Sequence, residues 1–451
     1  MAPRQEVFQI HPFGWENDPE EERFNATTLD YLAPCTYNNY AIFFKLEDTD
    51  KAKTIDILKA GLERTIAQAR HYCCIIEKDT DYGHSFVKKN DSTVRLFVQY
   101  LDDPRDGYPT IQDFERSNFS AVTMDHLKLW SVDPMTYGEN PEAHPDNRPV
   151  ASAFKAKFIR GGMVLHIHHH HYSNDVMGWA DFTHQLSENC HAFANNTIYP
   201  PWGSKNLGLS KAAELKKFAK PEDGTWVSTY DTFSAFIWRT LTRVRMPGFN
   251  HDLSSKLFWA EAIEMRRRMQ VPARIQHNVM FAALSPTAPV EQPTAGEVVS
   301  EWPLWKVARY IRQLTNAVTE ENLSKTLDMV ATVRDKMSLN IQIDAKPPLS
   351  MLMTDHRDAK ITETDWGFAK PITNRHVIDD VGIGVIVVYP PRDLSPESDE
   401  GPEFAVFYEK RLAQTLINDA EWNKYFEYRG VDAEDTSAVV TEEVKSIAIT
   451  A

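Results

Sequence analysis

Cysteine is scarce: four residues (Cys35, Cys73, Cys74 and Cys190) in 451, at spacings that fit neither a disulfide scaffold nor a zinc finger. The adjacent Cys73 and Cys74 read as small buried hydrophobes. Long apolar runs are also missing, and nothing nears the roughly eighteen consecutive apolar residues of a membrane-spanning helix. The N-terminal stretch MAPRQEVFQIHPFGWENDPEEERF is polar and acidic, without the apolar core of a signal peptide. These absences predict a soluble, cytoplasmic chain with reduced thiols and no membrane partner. Positive charge is in deficit, with 49 basic against 64 acidic residues and a net charge of −15, which argues against nucleic acid as a partner. No G-x-S-x-G elbow occurs, which disfavours a serine hydrolase, and no internal repeat is visible.

Apolar material is plentiful, at 42% of residues with 11 Trp and 23 Phe, and the length exceeds what one core usually serves. Strands are predicted at YAIFFKL (40–46), RLFVQYL (95–101), ASAFKAKFI (151–159), LFWAEAIEM (257–265) and GIGVIVVYP (382–390). Helical spacing appears at Ile55, Leu58, Leu62 and Ile66, at Val176, Trp179, Phe182, Leu186, Cys190 and Phe193, and over 304–336. In EFAVFYEKRLAQTLINDAEW, a strand leads into a last helix. DPMTYGENPEAHPDNRP, with four prolines, reads as a surface loop. Ser228 and Asp231 have the S-x-x-D spacing that caps a helix start. The stretch 199–226, rich in Pro, Gly, Ser and Lys, reads as a crossover linker between a first domain, 1–198, and a second, 227–451. Strands and helices interleave in both, which predicts an α/β protein of two similar-sized domains with mixed sheets.

The segment MVLHIHHHHYSNDVMGW holds five of the sixteen histidines, His166, His168, His169, His170 and His171, followed by Asp175. Alternation along a strand puts Val164, His166, His168 and His170 on one face and Leu165, Ile167, His169 and His171 on the other. A zinc site on His166, His168 and His170 has workable geometry, but no further ligand pair completes it, so no metal is expected. For the first four histidines, a partly exposed edge strand that tolerates them is the simplest account. His171 differs, because it ends the strand and Asp175 stands where the next helix begins. Asp175 alone reads as an N-cap. Together they suit a rigidly held imidazole that takes a proton from an alcohol near neutral pH.

The segment HHYSNDVMG resembles the H-x-x-x-D motif of the BAHD acyltransferases, and the glycine three positions after Asp175 resembles their fungal trichothecene 3-O-acetyltransferase branch. Other segments follow the family's order over most of the chain. TTLDYLAPCTYNNYAIFFKL is similar to its opening strand region and FIRGGMVLHIHHHH to the strand entering the catalytic histidine. STYDTFSAFIWRTLTRVR resembles its S-T-F-D helix, AIEMRRRM with HNVM its D-x-R-x-R strand and following G-N, and DWGFAKP its D-F-G-W-G-K-P signature. Departures are visible: Trp366 and Phe368 exchange the signature's aromatics, Ala369 replaces its second glycine, and Glu264 stands where Asp is usual.

The resemblance implies two chloramphenicol-acetyltransferase-like domains with an active-site channel at their interface. It implies acyl transfer, acetyl most readily, from acyl-CoA as co-substrate to a small-molecule alcohol of secondary metabolism, by a monomer and without a covalent acyl-enzyme. Carried over residue by residue, His171 is the general base and Asp175 pairs with Arg266 to hold the loop. Asp365 and Gly367 belong to the structural signature. Candidates for the CoA phosphates are the helix start at Ser228 and Thr229, and Arg267 among the arginines 239, 243, 245, 266 and 268. Two alternatives remain at this stage: a condensation-domain-like enzyme fed by carrier proteins, and a non-catalytic metal- or ligand-binding protein.

Overall fold

The computed structural model describes residues 3–429 apart from 48–49, 80–82, 125–126, 138–140, 200–225, 250–251, 270–274, 288–289, 340–348, 379–383, 394–397 and 399. Almost all of the crossover linker expected at 199–226 therefore lies outside the described residues. Two mixed sheets organise the chain, as the interleaved pattern predicts. The first has six strands in the order Gln5–Ile10, Val94–Leu101, Ser152–Ile159, Gly162–His170, Tyr37–Lys45 and Pro371–His376. Only the Val94–Leu101 and Ser152–Ile159 pairing is parallel. The second has five strands in the order Met280–Leu284, Trp259–Glu264, Met351–Asp355, Val385–Tyr389 and Glu403–Val406, with Met351–Asp355 parallel to both neighbours. A small three-stranded sheet (Glu21–Asn25, His84–Lys89, Ile75–Lys78) completes the first half.

One strand corrects the domain division read from sequence. Pro371–His376, placed by position in 227–451, pairs antiparallel with Tyr37–Lys45 and so closes the first sheet. The preceding segment goes with it, since Ile361 and Trp366 are fully buried in the first half's core. The chain thus crosses back and ties the halves together.

Helices Lys51–Gln68 and Val176–Ala194 cover one face of the first sheet. Ile55, Leu58, Leu62 and Ile66 on one, and Trp179, Phe182, Leu186 and Cys190 on the other, form its core as their spacing predicts. Phe193 falls off that stripe and is 45% exposed. The run 304–336 divides into Leu304–Ala317 and Glu320–Thr332, because Thr319 leaves helical geometry and its side chain caps the second helix by accepting from Asn322 N. All four cysteines are free, and burial pushes the Cys73 thiol up to about 12, which keeps it protonated. Among the described residues no helix is long and apolar enough to cross a membrane.

Candidate active site

The histidine strand is not the exposed edge that its composition suggests. Gly162–His170 lies inside the sheet between Ser152–Ile159 and Tyr37–Lys45, and every residue of it is buried. Its two faces separate as alternation requires, and each imidazole meets a protein partner. On one face His166 Nδ1 bonds Asn39 Oδ1 at 2.9 Å, His168 Nε2 accepts from Val132 N at 3.0 Å, and His170 Nε2 donates to Ala143 O at 2.8 Å. These partners come from three separate segments, so the rings are anchors and do not converge on an ion. Among the described residues no group of His, Cys, Asp or Glu is arranged to share a metal. The proline-rich 133–149 stretch is accordingly more than a surface loop, for Met135 and Ala143 are buried against the strand.

The opposite face points to the helices. His169 stacks on Tyr72 with ring centroids 4.4 Å apart, and its Nδ1 accepts from Asn174 Nδ2 at 2.7 Å. Burial holds His169 down to about 3 and His170 to about 4, so both stay neutral at ordinary pH.

His171 sits just past the strand end and is half-buried. Its backbone N donates to Thr36 O at 2.8 Å, and its Nδ1 lies 3.0 Å from Asn174 O. A carbonyl oxygen only accepts, so Nδ1 carries the proton and Nε2 presents a lone pair. Burial is the largest influence on this ring and lowers its pKa, while the Asn174 carbonyl and the charge of Asp175 oppose the shift. The result is a neutral imidazole of fixed tautomer, the state a general base requires.

Asp175 is the N-cap of Val176–Ala194, its Oδ1 accepting from Gly178 N at 2.8 Å. The same carboxylate takes a two-pronged Arg266 contact, at 2.9 and 3.1 Å, and accepts from Val279 N at 2.7 Å. Both readings of Asp175, cap and arginine partner, therefore hold at once. The pair is buried, and Arg266 also donates to Glu264 Oε2, Ile275 O and His277 O. Substituting Glu for the usual Asp at 264 thus keeps the arginine contact. The glycine at 178 has a steric reason: a Cβ there would lie 2.7 Å from Gln276 O.

The other expected residues lie apart from this centre. Asp365 accepts from Gly367 N at 2.9 Å, and Gly367, at φ +77, packs against Cys190, His191 and Ala194. That contact is at the helix end remote from Asp175, about 22 Å along the axis. Trp366 is fully buried and donates its indole N–H to Thr364 Oγ1 at 2.9 Å, so the exchanged aromatics serve packing. At the capped helix Thr229–Arg245, Ser228 Oγ is engaged by Asp231 and by Arg312 Nη2 at 2.6 Å, which corrects its candidacy as a phosphate donor. Thr229 is half-buried in the first turn. Of the six arginines singled out, five reach protein acceptors: Arg239 to Val298 O, Arg243 to Asp419, Arg245 to Glu409, Arg266 to Asp175 and Arg268 to Thr315 O. Arg267 is the exposed one, and has no ion pair among the described residues.

Residues the sequence reading did not single out complete the site. Tyr40 stacks on Trp179 at 4.0 Å and on His376 at 4.5 Å, while His376 lies 5.9 Å from His356 between ring centroids. Tyr137 and Tyr389 close this group edge-on. His356 Nδ1, His376 Nε2 and Trp179 Nε1 are buried with no hydrogen-bond partner among the described residues. Burial holds His376 well below the ordinary histidine value, and the nearby His356 and His171 add to that lowering. Isolated His and Tyr residues at chain positions 40, 356 and 376 carry no spacing signal. Only the return of Pro371–His376 to the first sheet brings them together.

Residues 36–190 match the trichothecene 3-O-acetyltransferase-like N-terminal domain, and residues 203–407 match the transferase family. The acetyltransferase FGR3 of Gibberella zeae is 63% identical, over 95% of this chain and 95% of its own. Trichothecene 3-O-acetyltransferase TRI101 of Fusarium sporotrichioides is 23% identical, over 87% of this chain and 94% of its own. The crystal structure of F. graminearum TRI101 complexed with ethyl coenzyme A superposes with a TM-score of 0.75 at 20% identity, covering 91% of this chain and all of that one. The same enzyme complexed with coenzyme A and T-2 mycotoxin gives the same values. Neither the carrier-protein reading nor the non-catalytic reading survives the match to an acetyltransferase along nearly the whole chain. The chain belongs to the BAHD acyl-CoA-dependent acyltransferases, in their trichothecene 3-O-acetyltransferase-like branch.

Proposed function

We propose that the chain transfers an acetyl group from acetyl-CoA to a hydroxyl of an oxygenated polycyclic secondary metabolite, with His171 as general base. The observation that carries this reading is the bond from His171 Nδ1 to Asn174 O, which leaves Nε2 as the basic nitrogen. In the reaction Nε2 removes the hydroxyl proton as the acceptor oxygen attacks the thioester carbonyl. The tetrahedral adduct collapses with cleavage of the C–S bond, and the imidazolium returns its proton to the CoA thiolate. No acyl-enzyme is needed. Asp175 and Arg266 hold the turn without touching the reacting atoms.

The relatives support the substrate classes, since a 63% identical chain is an acetyltransferase and F. graminearum TRI101 is complexed with coenzyme A and T-2 mycotoxin. The acceptor lies, in this reading, beside the Tyr40 ring and against Trp179, His356 and His376, and the unpartnered nitrogens of these last three suit the oxygens of such a molecule. The CoA phosphates fall to Arg267 with Thr229, and the enzyme works as a monomer. A mass-spectrometric screen of acyl-CoA donors against polycyclic alcohols, with His171→Ala as control, tests the reading. Acetylated product from the wild type alone is expected; the same product at undiminished rate from the variant, at equal melting temperature, overturns it.

A further inference from the structure

The carboxamide of Asn278 sits where the two halves of the chain meet. Its Nδ2 lies 3.0 Å from Asp30 Oδ1, 2.9 Å from the His171 carbonyl and 3.1 Å from the Tyr172 carbonyl. All three neighbours are acceptors, so the amide nitrogen must face them and Oδ1 must turn away. Asp30 and Asn278 are each 1% exposed, which removes water as a substitute partner. Asp30 is itself fixed: its Oδ2 accepts from Thr27 N at 2.7 Å while Asp30 N donates to Thr27 Oγ1 at 3.3 Å. Orientation thus passes from Thr27 to the Asp30 carboxylate, from there to the Asn278 amide, and then to the backbone of His171 itself. From the other side Thr36 O holds the His171 amide and Asn174 O holds its ring. The Asp175–Arg266 pair does a different task, because it ties the helix start and makes no hydrogen bond to His171 among the described residues.

We infer that Asp30 and Asn278 form a positioning pair for His171, in which the carboxylate aims the amide and the amide fixes the His171 backbone carbonyl from the opposite half of the chain. This rests on His171 being the base. A carboxylate at position 278 would confront two carbonyl oxygens, and an alanine there would leave both without their donor.

The test compares wild type, Asp30→Asn, Asn278→Asp and the doubly exchanged chain, using acetyl-CoA and the best acceptor from the alcohol screen. Each single exchange is expected to lower kcat by about 10²-fold through misplacement of the base, with KM for acetyl-CoA held within about twofold. In the doubly exchanged chain the amide at position 30 donates to the carboxylate at position 278, so the melting temperature recovers. Its kcat stays low, because that carboxylate cannot donate to the His171 and Tyr172 carbonyls. The acid limb of its kcat/KM profile also moves to higher pH, since a negative charge beside His171 favours the imidazolium. Recovery of kcat in step with the melting temperature would show a mere tie between halves and overturn the proposal, as would unchanged kcat in both single variants. If the exchanged chain does not regain its melting temperature, Asn278→Ser and Asn278→Ala decide: the hydroxyl, which keeps a donor, must retain more turnover, and equal turnover overturns the proposal. Measuring His171→Ala in parallel separates the failures, because full turnover there removes the base, whereas loss there with wild-type rates at position 278 removes only the positioning pair.

Discussion

Within one strand and the residue that follows it, five imidazoles meet two kinds of environment. His166, His168, His169 and His170 are fully buried, each held through a ring nitrogen by Asn39, Val132, Asn174 or Ala143. His171, one position further, has left the sheet, is half-buried, and is held at Nδ1 only. The same side chain is therefore an anchor in four places and, in the proposed mechanism, a base in the fifth. What separates them is accessibility: His166, His168 and His169 also keep one ring nitrogen without a hydrogen-bond partner among the described residues, but it is buried, whereas His171 lies past the strand end and is half-buried.

The difference can be broken most severely at its reactive end. His171→Ala is expected to lose about 10²–10⁴-fold in kcat with its melting temperature nearly unchanged, measured by thiol release from acetyl-CoA beside a thermal melt. Asp175→Asn comes next. It leaves a buried Arg266 half-paired, which costs about 3–5 kcal/mol in denaturant unfolding, and displacement of the turn lowers turnover by about 10²-fold.

Acid should then act on the anchors as a group. Burial holds His170 and His356 down to about 4 and His166 and His168 well below the ordinary histidine value. In the unfolded chain they titrate near about pH 6.5, so below that pH unfolding takes up protons that the folded state refuses. Stability is full above that pH and declines as pH falls toward about 4, and a melting series is expected to drop by about 10 °C between pH 7 and 5. Mutation of one anchor is the mildest case. His168→Leu strands the Val132 N–H and costs about 1–3 kcal/mol, while turnover per folded molecule stays at the wild-type level.

Much of this was readable in the chain itself. Period-two and period-3.6 patterns located the principal strands and helices, and the family resemblance carried by the H-x-x-x-D motif and later segments named the His171–Asp175–Arg266 arrangement that the fold assembles. Local signals failed where the chain returns over long distances. Pro371–His376 has no feature that announces a place in the first sheet, so the grouping of Tyr40, His356 and His376 was invisible. The histidine strand misled for a related reason: polar composition suggests exposure, and only partners far away in sequence, such as Asn39 and Val132, make burial tolerable. Ser228 shows the reverse case, a correct helix cap whose hydroxyl is thereby used up.

The pH dependence of kcat/KM for the acetyl transfer tests the central claim most directly, since it reports the state of the base in the free enzyme. A neutral His171 shaped by burial predicts a single acid limb with its midpoint below the ordinary histidine value of about 6.5, absent from the residual rate of His171→Ala. A midpoint above that value, or an identical limb in the variant, would contradict the assignment of His171 as the base.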